Sequence, residues 1–346
     1  MAEVVPDVVL REVAAMSDEG KRALIACVRE MLEAPRGDGV PGRCPRCGCA
    51  HVVRKGRGRD GSQRWLCRGC GSTFCAGTLS VAGQSRLPLS TWLDFAEGMA
   101  DGLTLRQLAR RCGVCLKTSW FMRMRVCEAM GARLDPFVSG PGVAVEVDGT
   151  MLHESLSGNG RRGGFAMPRP PRRCYRDLHV SGVSGQLACV VCGASDRGGA
   201  FCRVVGRAHG TDAGIRSALE GRLAPGTRVA TDDLPAYRRV LPGLGVEHEV
   251  RPAGGRSALG LVNALHKRLA DFLRPFNGVS TRRLQRYLDW FCWLEQFRGS
   301  GVGRQELVRR EARSGGYRTT RAGLFREPRA FMDYWERKQV YVSTEV

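Results

Sequence analysis

Apolar positions change their period along this chain. Up to about residue 136 they recur at helical spacing around a cysteine-rich interruption, and beyond Gly140 they gather into short β-branched runs alternating with helical stretches. Residues 6–34 carry two helical patterns. The second opens at Ser17 with Asp18 and Glu19 in its first turn, where acidic groups suit the helix dipole. Leu24, Ile25, Val28, Met31 and Leu32 then follow at helical spacing, and residues 35–42 form a Pro/Gly-rich linker. Residues 89–130 are helical again. Leu105, Leu108 and Ala109 share a face, Gly113 marks a tight turn, and Leu116, Trp120, Met124 and Cys127 resume the period, which is a helix-turn-helix pattern. Further on, strands are expected at 143–147, 187–194, 200–205, 229–231 and 246–250, and helices at 212–223, 235–241 and 259–273. Three strands followed by alternating helices and strands indicate an α/β fold class. The expected organisation is a helical segment at 1–40, a cysteine-rich unit at 41–78, a helix-turn-helix region at 85–136, an α/β domain at 141–298 and a basic tail at 299–346.

Charge narrows the partner. Lys and Arg total 54 against 34 Asp and Glu, a formal net charge of +20. Such a field favours a polyanion, above all nucleic acid. No apolar run approaches the ~20 residues a spanning helix needs, so no membrane partner is expected. The first residues lack the basic start and apolar core of a signal peptide, and the expected location is the cytoplasm. In that setting 15 cysteines point to metal sites and buried thiols rather than disulfides.

The cysteines cluster. CPRCGC and CRGC place Cys44, Cys47, Cys67 and Cys70 as two Cys-x-x-Cys knuckles, which offer four thiolates to one tetrahedral Zn²⁺. Gly48 and Gly71 follow each knuckle, where the backbone turns sharply. A redox role would need one reactive pair on a thioredoxin-like helix, not two pairs flanking a basic strand region. Arg54, Lys55, Arg57, Arg59, Arg64 and Arg68 lie between or beside the knuckles with Trp65, and the zinc ribbon so read suits contact with double-stranded DNA. Arg123 and Arg125 stand on the second helix of the helix-turn-helix, the helix that enters the major groove in this motif. Cys112/Cys115 and Cys189/Cys192 read as packing thiols.

Two carboxylates close predicted strands: Asp148 after VAVEV and Asp232 after RVAT. Adjacent strand ends are the usual place of α/β active sites, and paired carboxylates suit Mg²⁺ and phosphoryl transfer. Taken singly, each Asp reads better as a turn or helix cap, and it is the third candidate that shifts the balance. Asn263, on the helix after the last strand, is the candidate third ligand.

With these residues in place the chain resembles bacterial insertion-sequence transposases that carry an N-terminal zinc ribbon and an RNase H-like catalytic domain. The resemblance runs from about Arg43 to Arg298. It rests on CPRCG and CRGCGSTF, the helix-turn-helix, EVDGT, DRGG, ATDDLPAY, and VNALHKRL through FNGVSTRRLQRYLDWF. It implies that Asp148, Asp232 and Asn263 hold Mg²⁺ or Mn²⁺ for DNA cleavage and strand transfer at inverted-repeat ends, by a homo-oligomer assembled on DNA. Glu146, two residues before Asp148 on the same strand face, is a further source of negative charge. Two positions depart from the family pattern: Gly149 stands where Glu usually follows the first aspartate, and Ala270 where Lys is common. Lys267, one turn after Asn263, is the candidate replacement contact to DNA, and His266 on the same face is a second-rank ligand. The Pro-interrupted basic loop Arg161, Arg162, Arg169, Arg172, Arg173 and Arg176 reads as a DNA clamp. The competing readings are a catalytically impaired relic kept as a DNA-binding repressor, favoured by Gly149 and Ala270, and, less well, a zinc-ribbon transcription factor.

Overall fold

The computed structural model describes residues 13–18, 20, 21, 42–58, 61, 63–75, 78, 85–158, 168, 184–251, 259–298, 321–328, 332, 334 and 335. Most of the N-terminal helical segment and of the basic tail, and the loop bearing Arg172 and Arg173, lie outside the described residues.

Strands β1 (Val52–Arg57), β2 (Gln63–Cys67) and β3 (Thr73–Phe74) form an antiparallel sheet in sequence order. Strand alternation puts Gln63, Trp65 and Cys67 inward and Arg64 outward. Trp65 pairs across to Arg54 and Phe74. Cys44, Trp65, Cys67 and Phe74 make the small core of this unit.

Three helices follow: α1 (Leu89–Ala100), α2 (Leu105–Arg111) and α3 (Leu116–Gly131). Thr104 and Gln107 close a capping box at the start of α2, which satisfies two otherwise unpaired groups at that end. Gly98 lets α1 approach α2, since a Cβ there would stand 2.5 Å from Leu108 Cδ2. Gly113, at φ +62°, makes the turn into α3.

The second sheet holds β4 (Ala144–His153), β5 (Leu187–Ser195), β6 (Ala200–Arg207), β7 (Arg228–Thr231) and β8 (Glu247–Val250) in the order β6-β5-β4-β7-β8. Strands β6, β5 and β4 run antiparallel, while β7 and β8 run parallel to β4. The mixed sheet agrees with the α/β class expected from the sequence. One face is covered by α4 (Asp212–Leu219) and α5 (Pro235–Val240) over Val145, Val147, Val191 and Val229. The other is covered by α6 (Gly260–Leu273) and α7 (Leu284–Gln296) over Ala188, Val190, Cys192 and Ala230.

Helix α7 serves two cores. Leu284, Leu288 and Phe291 pack toward the sheet, whereas Tyr287, Trp290 and Trp293 join Met122, Val126 and Met130 of α3. A short helix α8 (Arg321–Arg326) docks Leu324 into this helical core. Among the described residues no helix is long and apolar enough to cross a membrane.

One strand differs from expectation. The sequence predicts that the strand ends at Asp148, but β4 continues to His153. Its ladder with β5 runs unbroken from Val145↔Ser195 to His153↔Leu187, while its parallel ladder with β7 stops at Val147↔Thr231. Asp148 therefore marks the end of one pairing, not of the strand.

Candidate functional site

The register of β4 against β7 places the carboxylates. Val147 pairs with Thr231, and the next residue on each strand is an aspartate, so Asp148 and Asp232 stand side by side. Each spends one oxygen locally: Asp148 Oδ1 accepts from the Gly149 N–H at 2.7 Å, and Asp232 Oδ1 from the Leu234 N–H at 3.2 Å. Burial pushes the Asp148 carboxyl up to about 6, and the neighbouring Asp232 charge adds to this against the Gly149 bond. The Tyr237 hydroxyl is buried nearby with its pKa raised, first by burial and then by Asp148 and Asp232.

Helix α6 crosses this end of the sheet. His266 Nδ1 lies 3.9 Å from Asp148 Oδ2, and burial lowers the imidazole pKa, which favours the neutral ring. Asn263 is on the same helix one turn earlier, exposed, and its side chain makes no hydrogen bond among the described residues. Lys267 is exposed beside it.

Glu146 shares the face of Asp148, as strand alternation requires, but it serves α6. Its Oε2 accepts from the backbone N–H groups of Leu261 (2.6 Å) and Val262 (3.1 Å), and its Oε1 lies 3.4 Å from Arg251 Nη1. A carboxylate at a helix N-terminus satisfies unpaired donors and the helix dipole together. Glu146 thus holds the helix that carries Asn263 and His266. The sequence motif showed the acidic residue but not the helix end it caps, 115 residues away.

Gly149 faces away from the carboxylates. A Cβ built there would meet Cys189 Sγ at 3.8 Å and the Tyr237 hydroxyl at 3.9 Å, on the α5 side of the sheet. A cleft of about 1230 Å³ lined by Phe137, Arg203, Arg222 and Arg268 includes neither aspartate.

The four knuckle thiols converge: the Sγ atoms of Cys44, Cys47, Cys67 and Cys70 all lie within 4.8 Å of one another. Among the described residues they are the only group of three or more His, Cys, Asp or Glu donors so gathered. Four thiolates in this arrangement are compatible with zinc. Gly48 (φ +76°) and Gly71 (φ +68°) adopt the left-handed turns expected of the knuckles.

Of the basic side chains expected to meet DNA, Arg54, Lys55 and Arg64 are exposed on the small sheet, as Lys267 is on α6. Arg123 and Arg125 are a correction, because both are buried. Helix α3 is enclosed by α1 on one side and α7 on the other, and the guanidinium groups lie over aromatic rings. Arg123 stands 5.0 Å from the Phe276 ring centre and donates to Leu103 O, while Arg125 stands 4.8 Å from Phe121. Exposed basic residues of this unit include Arg106 and Arg110 on α2 and Lys117 in the first turn of α3, together with Arg86, Arg133 and Arg111, the last paired with Glu97 and Asp101. The signal was available, since a helix-turn-helix reads DNA with the N-terminal residues of its second helix.

The chain is 29% identical over 255 residues to an uncharacterized protein in the transposable element ISH50 of Halobacterium salinarum; the match spans 72% of this chain and 83% of that relative. No family model matches. A comparison of solved structures aligns 56% of this chain with 67% of a chain in the simian T-cell lymphotropic virus intasome in complex with the PP2A regulatory subunit B56 gamma. At 12% identity and a TM-score of 0.28, that likeness carries no argument.

Proposed function

We propose that this protein is a DNA transposase with an RNase H-like catalytic domain, which cleaves the ends of a mobile element and joins them to target DNA. The observation that carries the reading is the pair Asp148 and Asp232, set side by side where the parallel ladder of a β6-β5-β4-β7-β8 mixed sheet ends. The relative carried in a transposable element supports it.

In this reading Asp148, Asp232 and Asn263 hold Mg²⁺ or Mn²⁺. When bound, the ions supply activation of the attacking oxygen and stabilisation of the leaving oxygen in an in-line displacement at phosphorus. The protein's own part is placement. Glu146 holds the start of α6, Tyr237 and the sheet keep the carboxylates partly out of water, and Lys267 meets the DNA backbone. The thiol knuckles bind zinc and form a ribbon whose Arg54, Lys55 and Arg64 contact phosphates. Together with the helix-turn-helix, through Arg106, Arg110 and Lys117, this ribbon recognises the element's ends. Joining two ends calls for at least two copies of the chain on DNA.

The relic reading leans on Gly149 and Ala270. Gly149 points to the opposite face from Asp148, toward Cys189 and the Tyr237 hydroxyl, and Ala270 is exposed on α6 one turn after Lys267.

The test uses duplexes covering both boundaries of the element that surrounds the gene, with Mg²⁺ or Mn²⁺. The wild-type protein is expected to nick and join these ends, whereas Asp148→Asn and Asp232→Asn retain DNA binding and lose both steps. Equal inertness of wild type and Asp148→Asn, with binding intact in both, rejects the enzyme and leaves a DNA-binding protein.

A further inference from the structure

His266 Nε2 is buried with no hydrogen-bond partner among the described residues. An unpaired buried polar atom costs ~1–3 kcal/mol, so its retention beside a carboxylate pair calls for an explanation. The other ring nitrogen, Nδ1, stands 3.9 Å from Asp148 Oδ2. That is too long for a hydrogen bond. It sets the ring beside the carboxylate, within reach of a cation that the carboxylate holds. The ring is mostly enclosed, with 16% of its side-chain surface exposed, and α6 is held in register by the Glu146 cap on Leu261 and Val262. The ring hydrogen-bonds the main chain of Asp148, and an imidazole whose one nitrogen donates keeps the lone pair of the other, here the unpaired Nε2, for coordination.

We propose that His266 supplies a nitrogen donor to the cation held by Asp148, and that this donor makes the site select Mn²⁺ over Mg²⁺. The inference deepens the transposase reading and rests on its carboxylate metal site. Imidazole nitrogen suits first-row transition ions, whereas Mg²⁺ demands oxygen. The Asp148–His266 set is therefore a mixed oxygen and nitrogen site, chemically distinct from the all-sulfur knuckles.

The experiment is Mn²⁺ and Mg²⁺ titration of the zinc-loaded full chain without DNA, followed by pulsed paramagnetic resonance of the bound Mn²⁺. Wild type is expected to show nitrogen hyperfine coupling and to bind Mn²⁺ at least about tenfold more tightly than Mg²⁺. His266→Gln, which keeps the size of the side chain, is expected to lose the coupling and to weaken Mn²⁺ on the order of 10- to 100-fold, the scale seen when support for a metal site is removed. Mg²⁺ affinity should move by less than about threefold. His266→Asp is expected to turn the preference toward Mg²⁺, which a loss of folding does not do. Mn²⁺ that binds in an Asp148-dependent way without nitrogen coupling overturns the role of His266 and leaves the carboxylate site standing. Mn²⁺ binding that ignores Asp148→Asn, or no binding at all, overturns both.

Discussion

The two donor clusters of this protein are assembled in opposite ways. The thiol site draws four identical ligands from two short knuckles joined by one hairpin, and its atoms gather within 4.8 Å. The carboxylate site draws on β4, the end of β7 and the middle of α6, and it needs a carboxylate on β4 to pin a helix 115 residues further on. The first is a local device, built within one stretch of chain and separate from the large sheet. The second is a product of register, and a small slip on any of its three elements takes it apart.

The largest expected effect breaks the first site alone. Cys47→Ser with Cys70→Ser, or removal of zinc by a chelator, forfeits a binding free energy on the order of 10 kcal/mol or more, which for small zinc units is their folding free energy. Hydrogen exchange is expected to lose protection across residues 42–75 while the β4–β8 sheet keeps it. Coordinate loss in both regions argues against two independent devices.

Glu146→Ala is next. It removes the acceptor for two backbone N–H groups and the weaker of the two carboxylate partners of Arg251, whose closer partner is Glu249, and is expected to cost roughly 1–3 kcal/mol in denaturant unfolding. Zinc content should not change. An unchanged midpoint means that the α6 cap is not what sets the helix.

Acidity sharpens the comparison further. The Asp148 carboxyl is raised from its ordinary value to about 6, so its contribution to folding is fully present below the unfolded value near 3.8 and is lost as pH rises through 6. Asp148→Asn is therefore expected to be more stable than wild type at pH 7.5, with the difference closing toward pH 4. The cation binding proposed for this site runs the other way, because it needs the ionised form, and is expected to weaken about tenfold per pH unit below 6. Wild type and Asp148→Asn unfolding together across the whole range excludes the buried, raised carboxyl.

The smallest effects separate two kinds of arginine and lysine. Lys117→Ala, on an exposed first turn, is expected to leave stability within about 0.5 kcal/mol and to lower the salt dependence of DNA binding by about one unit. Arg123→Ala instead removes a buried guanidinium from the Phe276, Tyr287 and Trp290 rings and is expected to lower the melting temperature. If Arg123→Ala melts like wild type and weakens DNA binding, the inward placement of Arg123 is wrong.

The difference between the two sites is also the difference in what was legible. Cys44, Cys47, Cys67 and Cys70 are readable because a knuckle's geometry is contained in its own spacing. The strands bearing Asp148 and Asp232 are readable from β-branched runs, but the length of β4 was not, because pairing with β5 rather than local composition carries it on to His153. Arg123 and Arg125 misled for a related reason. A helix whose neighbours enclose it from Met122 to Met130 buries charged residues that its own pattern marks as a solvent face, and aromatic rings from distant elements accommodate them.

The sequence by itself determined the element types, the four-thiol donor set and the presence of two strand-end carboxylates, all set by interactions among residues close in the chain. Only the tertiary structure decided that Asp148 and Asp232 are neighbours, that Glu146 holds α6, and that His266 stands 3.9 Å from Asp148. Those facts depend on strand register and on helix packing across more than a hundred residues, and such long-range pairings leave no periodic trace in the residues that make them.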